Sequence, residues 1–258
     1  MSYILKAISE GKRLDEQSQM EQFSLENELK GLKLKTTARV LDAGCGSGVL
    51  CRFLEEKFPS AHIHGCDLSK DSLEYAKGNT RNKNTKYFLH DISKTFYETY
   101  DCIINRLVGH HLDKEKIKEV IFNFHQSLES GGQLVIIDVD GLFLNLGTLS
   151  ESLLSRIDQV NKAFTGNLNI SRYLPSILDS AGFKNISWKI EAMDFQGESR
   201  KQEVNQWKDR FENSKDFYIN LFGSEFEASK FFKDYTNEAS KENVPLFFNK
   251  FIVQGYKA

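Results

Sequence analysis

The residues with the clearest chemical content form a run, Val40-Leu41-Asp42-Ala43-Gly44-Cys45-Gly46-Ser47-Gly48. A short apolar stretch runs into three glycines spaced one residue apart, and a helical pattern follows. Glycine suits such a turn for two reasons: the backbone must take unusual angles, and a ligand can approach main chain that carries no Cβ. A second acid, Asp67, lies 19 residues after Gly48 and ends the next strand-like run. In nucleotide-binding βαβ units an acid about 20 residues beyond the glycines accepts hydrogen bonds from ribose hydroxyls. His110 and His111 are the side chains able to take a proton near neutral pH. Equally open for the pair is a structural role, one of them capping the next helix or packing under the loop. No Cys-x-x-Cys spacing occurs among Cys45, Cys51, Cys66 and Cys102, so the usual zinc pattern is absent and no metal ligand set is assigned.

Positioning these groups requires alternating strands and helices. Residues 38–43, 62–67, 86–89, 100–105 and 133–139 read as strands, the last nearly all apolar, as expected for a parallel strand covered on both faces. Between them lie helical patterns. Ser69 is placed to cap one that Gly78 would end, and Asp113 to cap another that Gly131-Gly132 would stop. This alternation predicts a parallel sheet flanked by helices. Beyond residue 140, Thr148-x-x-Glu151, Ser199-x-x-Gln202 and Ser224-x-x-Glu227 read as capping boxes, and Ser171 as the start of a helix. Residues 184–195 and 246–256 read as two final strands forming an antiparallel pair, with 198–243 as a helical insertion between them.

Composition bounds the rest. The 258 residues carry 34 Lys and Arg against 36 Asp and Glu, a formal net charge of −2. That balance argues against a nucleic-acid binder, which shows a basic surplus. No apolar run approaches the ~18–20 residues that cross a bilayer, and the N-terminus shows no signal-peptide pattern. The expectation is a cytoplasmic protein with reduced cysteines. Of 20 phenylalanines, ten lie at or after residue 195. They serve either to pack insertion helices together or to line an apolar pocket or dimer face.

With these motifs in order, the chain resembles the class I S-adenosylmethionine-dependent methyltransferases. Their first motif is two hydrophobic residues followed by Asp-x-Gly-x-Gly-x-Gly, rather than the Gly-x-Gly-x-x-Gly of dinucleotide folds. Gly65-Cys66-Asp67-Leu68-Ser69 resembles the second motif, Leu89-His90-Asp91-Ile92 the third, and Asn105-Arg106-Leu107-Val108-Gly109-His110-His111-Leu112 the fourth. Gly131-Gly132-Gln133-Leu134 and Ala181-Gly182-Phe183 resemble later family steps. The resemblance implies an α/β, Rossmann-like fold: a mostly parallel seven-stranded sheet with helices on both faces, an antiparallel final strand and helical lid insertions. It implies S-adenosyl-L-methionine as cofactor and assigns to it Asp42, Gly44, Cys45, Gly46, Gly48, Asp67, Leu68, Asp91, Ile92, Asn105 and Arg106, with Asp91 reaching the adenine amine. The segment Arg13-Leu14-Asp15-Glu16-Gln17 resembles one that folds over the cofactor in some members, which adds Arg13 and Gln17. Trp207 and Phe211 are expected to wall the acceptor. The fourth motif is not the Asn-Pro-Pro-Tyr type used on nucleic-acid bases, and no cysteine adjoins a proline, so a small-molecule acceptor is expected. Residues 1–258 read as one methyltransferase domain, with lid segments 1–30, 141–170 and 198–243 around a 38–140 core, acting as monomer or homodimer. A non-catalytic cofactor-binding partner and a nicotinamide oxidoreductase are the rival readings.

Overall fold

The computed structural model describes residues 7–81, 84–141, 145–164 and 166–258, without the side chains of 7–9. Residues 1–6 of the expected N-terminal lid, and 142–144 and 165 of the first insertion, therefore lie outside the description.

The chain begins with helix α1 (Ala7–Ser18) and a single turn, α2 (Leu25–Glu28). The alternating part follows as β1 (Arg39–Ala43), α3 (Val49–Lys57), β2 (His62–Asp67), α4 (Lys70–Asn79), β3 (Thr85–Leu89), β4 (Tyr100–Arg106), α5 (Lys114–Ser127) and β5 (Leu128–Asp140). Then come α6 (Glu151–Ala163), α7 (Leu174–Ser180), β6 (Lys184–Asp194), α8 (Gly197–Asn213), α9 (Lys215–Phe222), α10 (Glu225–Ala239) and β7 (Phe247–Tyr256). The strands form one seven-stranded sheet in the order β3-β2-β1-β4-β5-β7-β6. β1 to β5 pair in parallel, and β7 runs antiparallel to both β5 and β6.

Successive residues of the central strands face opposite cores. Leu41, Ile103, Leu134 and Ile136 pack with α5 and α7 residues on one face. Val40, Ile104, Val135 and Ile137 pack with α3 residues on the other. Both faces of β1, β4 and β5 are thus covered, which is why these strands read as unbroken apolar runs. A third cluster joins Trp207, Phe211, Tyr218, Phe231 and Tyr235 of α8–α10 to Leu153, Ile157 and Val160 of α6. The late phenylalanines therefore mostly build this cluster.

Caps account for several boundaries. Ser69 Oγ accepts from Ser72 N–H and Asp113 from Glu115 and Lys116 N–H, as expected. Ser224 caps α10 by accepting from Glu227 N–H. Other expected signals move. Gly78 lies inside α4, which ends at Asn79 with Thr80 as its C-cap. α5 stops at Ser127, before the two glycines, because Leu128 already pairs with Tyr100. Gly131, at φ +77°, then sits in a register break between that pair and Cys102–Gln133. Ser150, not Thr148, caps α6, accepting from Leu153 N–H, and Thr148 Oγ1 accepts from Ser150 N–H. Gln196 caps α8, and Ser199 returns from its third position to complete the box. Ser171 opens no α-helix: it lies in a 3-10 turn, its hydroxyl donating to Val139 O at 2.7 Å, and α7 starts at Leu174 with Pro175 in its first turn.

Candidate functional site

Between β1 and β4 the strand order reverses, and crevices in open α/β sheets form there, beyond the carboxyl ends of the strands. A cavity of about 1290 Å³ occupies this place. Its floor is the loop after β1. Gly44, Gly46 and Gly48 all have positive φ, at +86°, +50° and +76°. Gly46 N–H donates to Asp67 Oδ2 at 2.9 Å, and Ser69 N–H donates to Asp67 Oδ1 at 2.8 Å. One carboxylate thus ties the glycine loop to the start of α4 while still facing the cavity. Burial raises its pKa against the pull of these backbone donors.

Asp42 borders the same space from the end of β1 and is 2% exposed. Burial pushes its carboxyl up to about 7, opposed by a hydrogen bond from Cys51 Sγ at 3.3 Å and by the charge of Arg106. At the far end, Leu68, Asp91 and Ile92 line the cavity. Burial works against the Asp91 charge, but hydrogen bonding from Ser93 and the charges of Lys116 and Lys94 hold its carboxyl below the usual range. Cys45, Gly44 and Gly46 line it as well.

Three of the residues expected at the cofactor also have structural partners. Gly48 does not border the cavity among the described residues: a Cβ there would lie 2.7 Å from Tyr87 Oη and 2.9 Å from Ala76 Cβ, so packing against β3 and α4 demands the glycine. Asn105 is fully buried and donates through Nδ2 to Ala43 O at 2.6 Å, bracing β1 against β4 behind the cavity wall. Arg106 reaches the wall, but its guanidinium is committed to Glu28 at 2.6 Å and Phe23 O at 3.1 Å. Lys250 of β7 also binds Glu28, at 3.2 Å. That buried cluster clamps the N-terminal segment to the sheet.

The roof comes from helices outside the alternating core. Arg13 and Gln17 of α1 line the cavity, and Leu14 Cδ1 lies 3.1 Å from where a Gly46 Cβ would stand. α1 is held on both sides. Asp15 accepts from Ser47 Oγ at 2.8 Å, Arg52 at 2.7 Å and Tyr75 Oη at 3.0 Å, fixing it to the glycine loop, α3 and α4. Toward α8, Arg13 pairs with Glu10 and donates to Gln206 Oε1 at 2.9 Å, and Asn213 Nδ2 donates to Glu10 at 3.2 Å.

Opposite the acids, Trp207 and Arg210 of α8, Phe217 and Tyr218 of α9, and Val160 and Phe164 near the end of α6 form a mostly aromatic chamber. Phe211 is not part of that wall: it stacks on Phe232 with centroids 4.3 Å apart, inside the lid cluster. Its neighbour in the helical pattern, Arg210, faces the chamber instead, paired with Glu203 at 2.6 Å and lying over the Trp207 ring at 4.4 Å.

His110 and His111 line the same cavity, and the His111 ring centroid lies 6.3 Å from that of Phe164. His110 Nδ1 lies 2.6 Å from Asp138 Oδ1, and His110 N–H donates to Asp138 Oδ2 at 3.0 Å. Asp138, on β5, is fully buried. The sequence reading missed it because a single acid in an apolar strand carries no periodic signal; its place in QLVIIDVD, where a charge is costly without a partner, was the only clue. Burial, with the charges of His110 and Arg13, holds His111 well below the usual imidazole range. Among the described residues, no group of three or more His, Cys, Asp or Glu is placed to hold a metal ion, and no helix is long and apolar enough to cross a membrane.

Residues 40–132 match the family model described as a methyltransferase domain. The chain is 33% identical over 101 residues to malonyl-[acyl-carrier protein] O-methyltransferase of Bacillus anthracis, a match covering 39% of this chain and 37% of that relative. The chain thus spans well under half the length of that curated relative. Among solved structures, phosphoethanolamine N-methyltransferase 2 of Haemonchus contortus in complex with S-adenosyl-L-methionine superposes with a TM-score of 0.57 at 19% identity, covering 91% of this chain and 53% of that one. Geranyl diphosphate methyltransferase in complex with the same molecule gives 0.57 at 17% identity, covering 96% and 90%. These two share the fold. The family match over residues 40–132, the sheet order and the glycine loop with its acids make this part of the chain similar to a methyltransferase domain.

Proposed function

We propose that this protein transfers the methyl group of S-adenosyl-L-methionine to a small-molecule acceptor. The observation that carries the reading is that one cavity holds two unlike halves: a glycine floor with three acids, and an aromatic chamber under helices foreign to the core. The donor set suits this cofactor. Asp67 offers a carboxylate to a ribose, Asp91 one to an adenine amine, and Leu68 and Ile92 apolar sides to a flat ring. Asp42 places a buried acid where a cationic ligand would relieve its cost of ionisation. The cofactor, when bound, supplies an electrophilic methyl on a sulfonium.

The chain's own residues supply geometry. Methyl transfer is an in-line displacement, and orientation alone contributes ~7–11 kcal/mol to such a step. Arg13, Trp207, Tyr218 and Phe164 roof the chamber from α1, α8, α9 and the end of α6, which favours an acceptor small enough to be enclosed and excludes water from the reacting atoms. His110, on the cavity wall, is the candidate proton acceptor. Gln17 with Arg13 would contact the cofactor side.

The test is direct. Calorimetry should show S-adenosyl-L-methionine and S-adenosylhomocysteine binding while NAD does not. Protein incubated with methyl-labelled cofactor and a small-metabolite extract should place label in a low-mass product. Binding without turnover would make the protein a cofactor-binding partner; binding of NAD alone would overturn the reading.

A further inference from the structure

Asp138 and His110 form a pair with a direction. Asp138 is 0% exposed and lies behind the cavity wall, while His110 borders the cavity at 8%. The Nδ1 edge of the ring therefore points inward, toward Asp138 Oδ1 at 2.6 Å. Both oxygens of that carboxylate also accept main-chain donors: Oδ2 from His110 N–H at 3.0 Å, and Oδ1 from Val139 N–H at 2.8 Å. An ionised carboxylate only accepts, so the proton of a neutral imidazole belongs on Nδ1. That leaves Nε2 with a free lone pair. Among the described residues no protein group hydrogen-bonds it.

The surroundings keep this arrangement. A Cβ at Gly109 would lie 2.8 Å from Asp138 Oδ2, so the glycine lets the histidine turn close over the carboxylate. Beside the pair lie His111, its ring centroid 4.0 Å from that of His110, and Arg13 of α1, whose charge acts on His111. His111, held neutral by burial, adds no competing charge.

We infer that Asp138 is a positioning residue that holds His110 as the Nδ1–H tautomer, with Nε2 as the base of the reaction, so that the methyl acceptor is a neutral hydroxyl or amine which loses a proton on methylation. This rests on the methyl-transfer reading. As the acceptor's lone pair forms its new bond to the methyl carbon, the sulfur–carbon bond breaks and its electron pair stays on sulfur. The acceptor's proton passes to His110 Nε2, and the resulting imidazolium is stabilised by the Asp138 carboxylate until the proton leaves to water. An acceptor already ionised, such as a carboxylate or thiolate, would have no use for this pair. A base of this kind contributes about 10²–10⁴-fold.

Two measurements test it. Protein labelled with 15N-histidine is observed by long-range 1H–15N correlation at pH 8, with and without S-adenosylhomocysteine, for wild type, His110→Gln and Asp138→Asn. The expected result is an Nδ1–H tautomer that vanishes in His110→Gln and is lost or reversed in Asp138→Asn. A wild-type Nε2–H tautomer overturns the inference. Calorimetry with S-adenosylhomocysteine shows whether Asp138→Asn still folds and binds; if it does not, the wild-type tautomer and His110→Gln carry the test. Second, the labelled product from the metabolite extract is fragmented to locate the methyl group. An O-methyl ether or N-methyl amine formed at least 100-fold more slowly by the folded Asp138→Asn supports the inference, and a thioether or carboxylate ester overturns it. Failure of the wild type to bind the cofactor, or to form any product, overturns the methyl-transfer reading itself, and this inference falls with it.

Discussion

Asp42 carries a proton-linked consequence. In the free protein its carboxyl titrates at about 7, raised from 3.8 by burial. A native acid weaker than its unfolded counterpart binds more protons when folded, so its contribution to stability falls as pH rises from about 4 through 7. A cationic ligand reverses the preference, because it binds the ionised form. Cofactor affinity should therefore be about tenfold weaker at pH 6 than on its plateau near pH 8, with close to one proton released on binding at pH 6. Calorimetry in buffers of different ionisation enthalpy reads both quantities, and Asp42→Asn should flatten the profile. Asp67 makes a second case. Asp67→Ala removes the acceptor of Gly46 and Ser69 N–H and the group facing the ribose position; a charge-assisted hydrogen bond is worth ~1.5–3 kcal/mol, so affinity should fall roughly 10–100-fold with the far-ultraviolet spectrum unchanged. Asp42, Asp67 and Asp91 were legible as cavity-lining residues because each lies at or just past the end of a strand within a spaced motif. Asp15 and Asp138 were not, because their partners lie 32 and 28 residues away and nothing local marks the encounter.

At the scale of elements, α1 behaves as a strap fastened at two points. One is Asp15 on the glycine loop; the other is the Glu10–Arg13 pair on Gln206 and Asn213. Asp15→Ala should loosen the first point alone. The expected result is faster hydrogen exchange over 7–18, slowed again when S-adenosylhomocysteine is added, while exchange in β1, β4 and β5 stays as in wild type. Exchange in α1 that ignores both the substitution and the ligand would assign the helix to plain packing. The sequence showed that helices lay outside the core, since their apolar spacing is local. It misplaced their starts: Thr148, Ser171 and Ser199 each fit a cap pattern, but Ser150 and Gln196 compete within a few residues, and Ser171 was drawn to the Val139 carbonyl. Pattern alone cannot rank such neighbours. That Arg210 rather than Phe211 would face the chamber was equally hidden, because stacking on Phe232 is a contact between helices.

For the whole molecule, the strand count and the antiparallel end were readable from periodicity and the family resemblance, whereas the position of β7 has its own consequence. The last strand of the chain is not at an edge: it fills the space between β5 and β6, paired along its length with both. Among the described residues β6 pairs only with β7, so it joins the sheet through residues 247–256 alone. Lys250, which helps hold Glu28 and the N-terminal segment, lies on the same strand. The N-terminal segment and β6 are thus both tied to the sheet through this one strand. A chain cut after residue 246 should lose near-ultraviolet dichroism and associate on gel filtration, since two strands would be left with open edges.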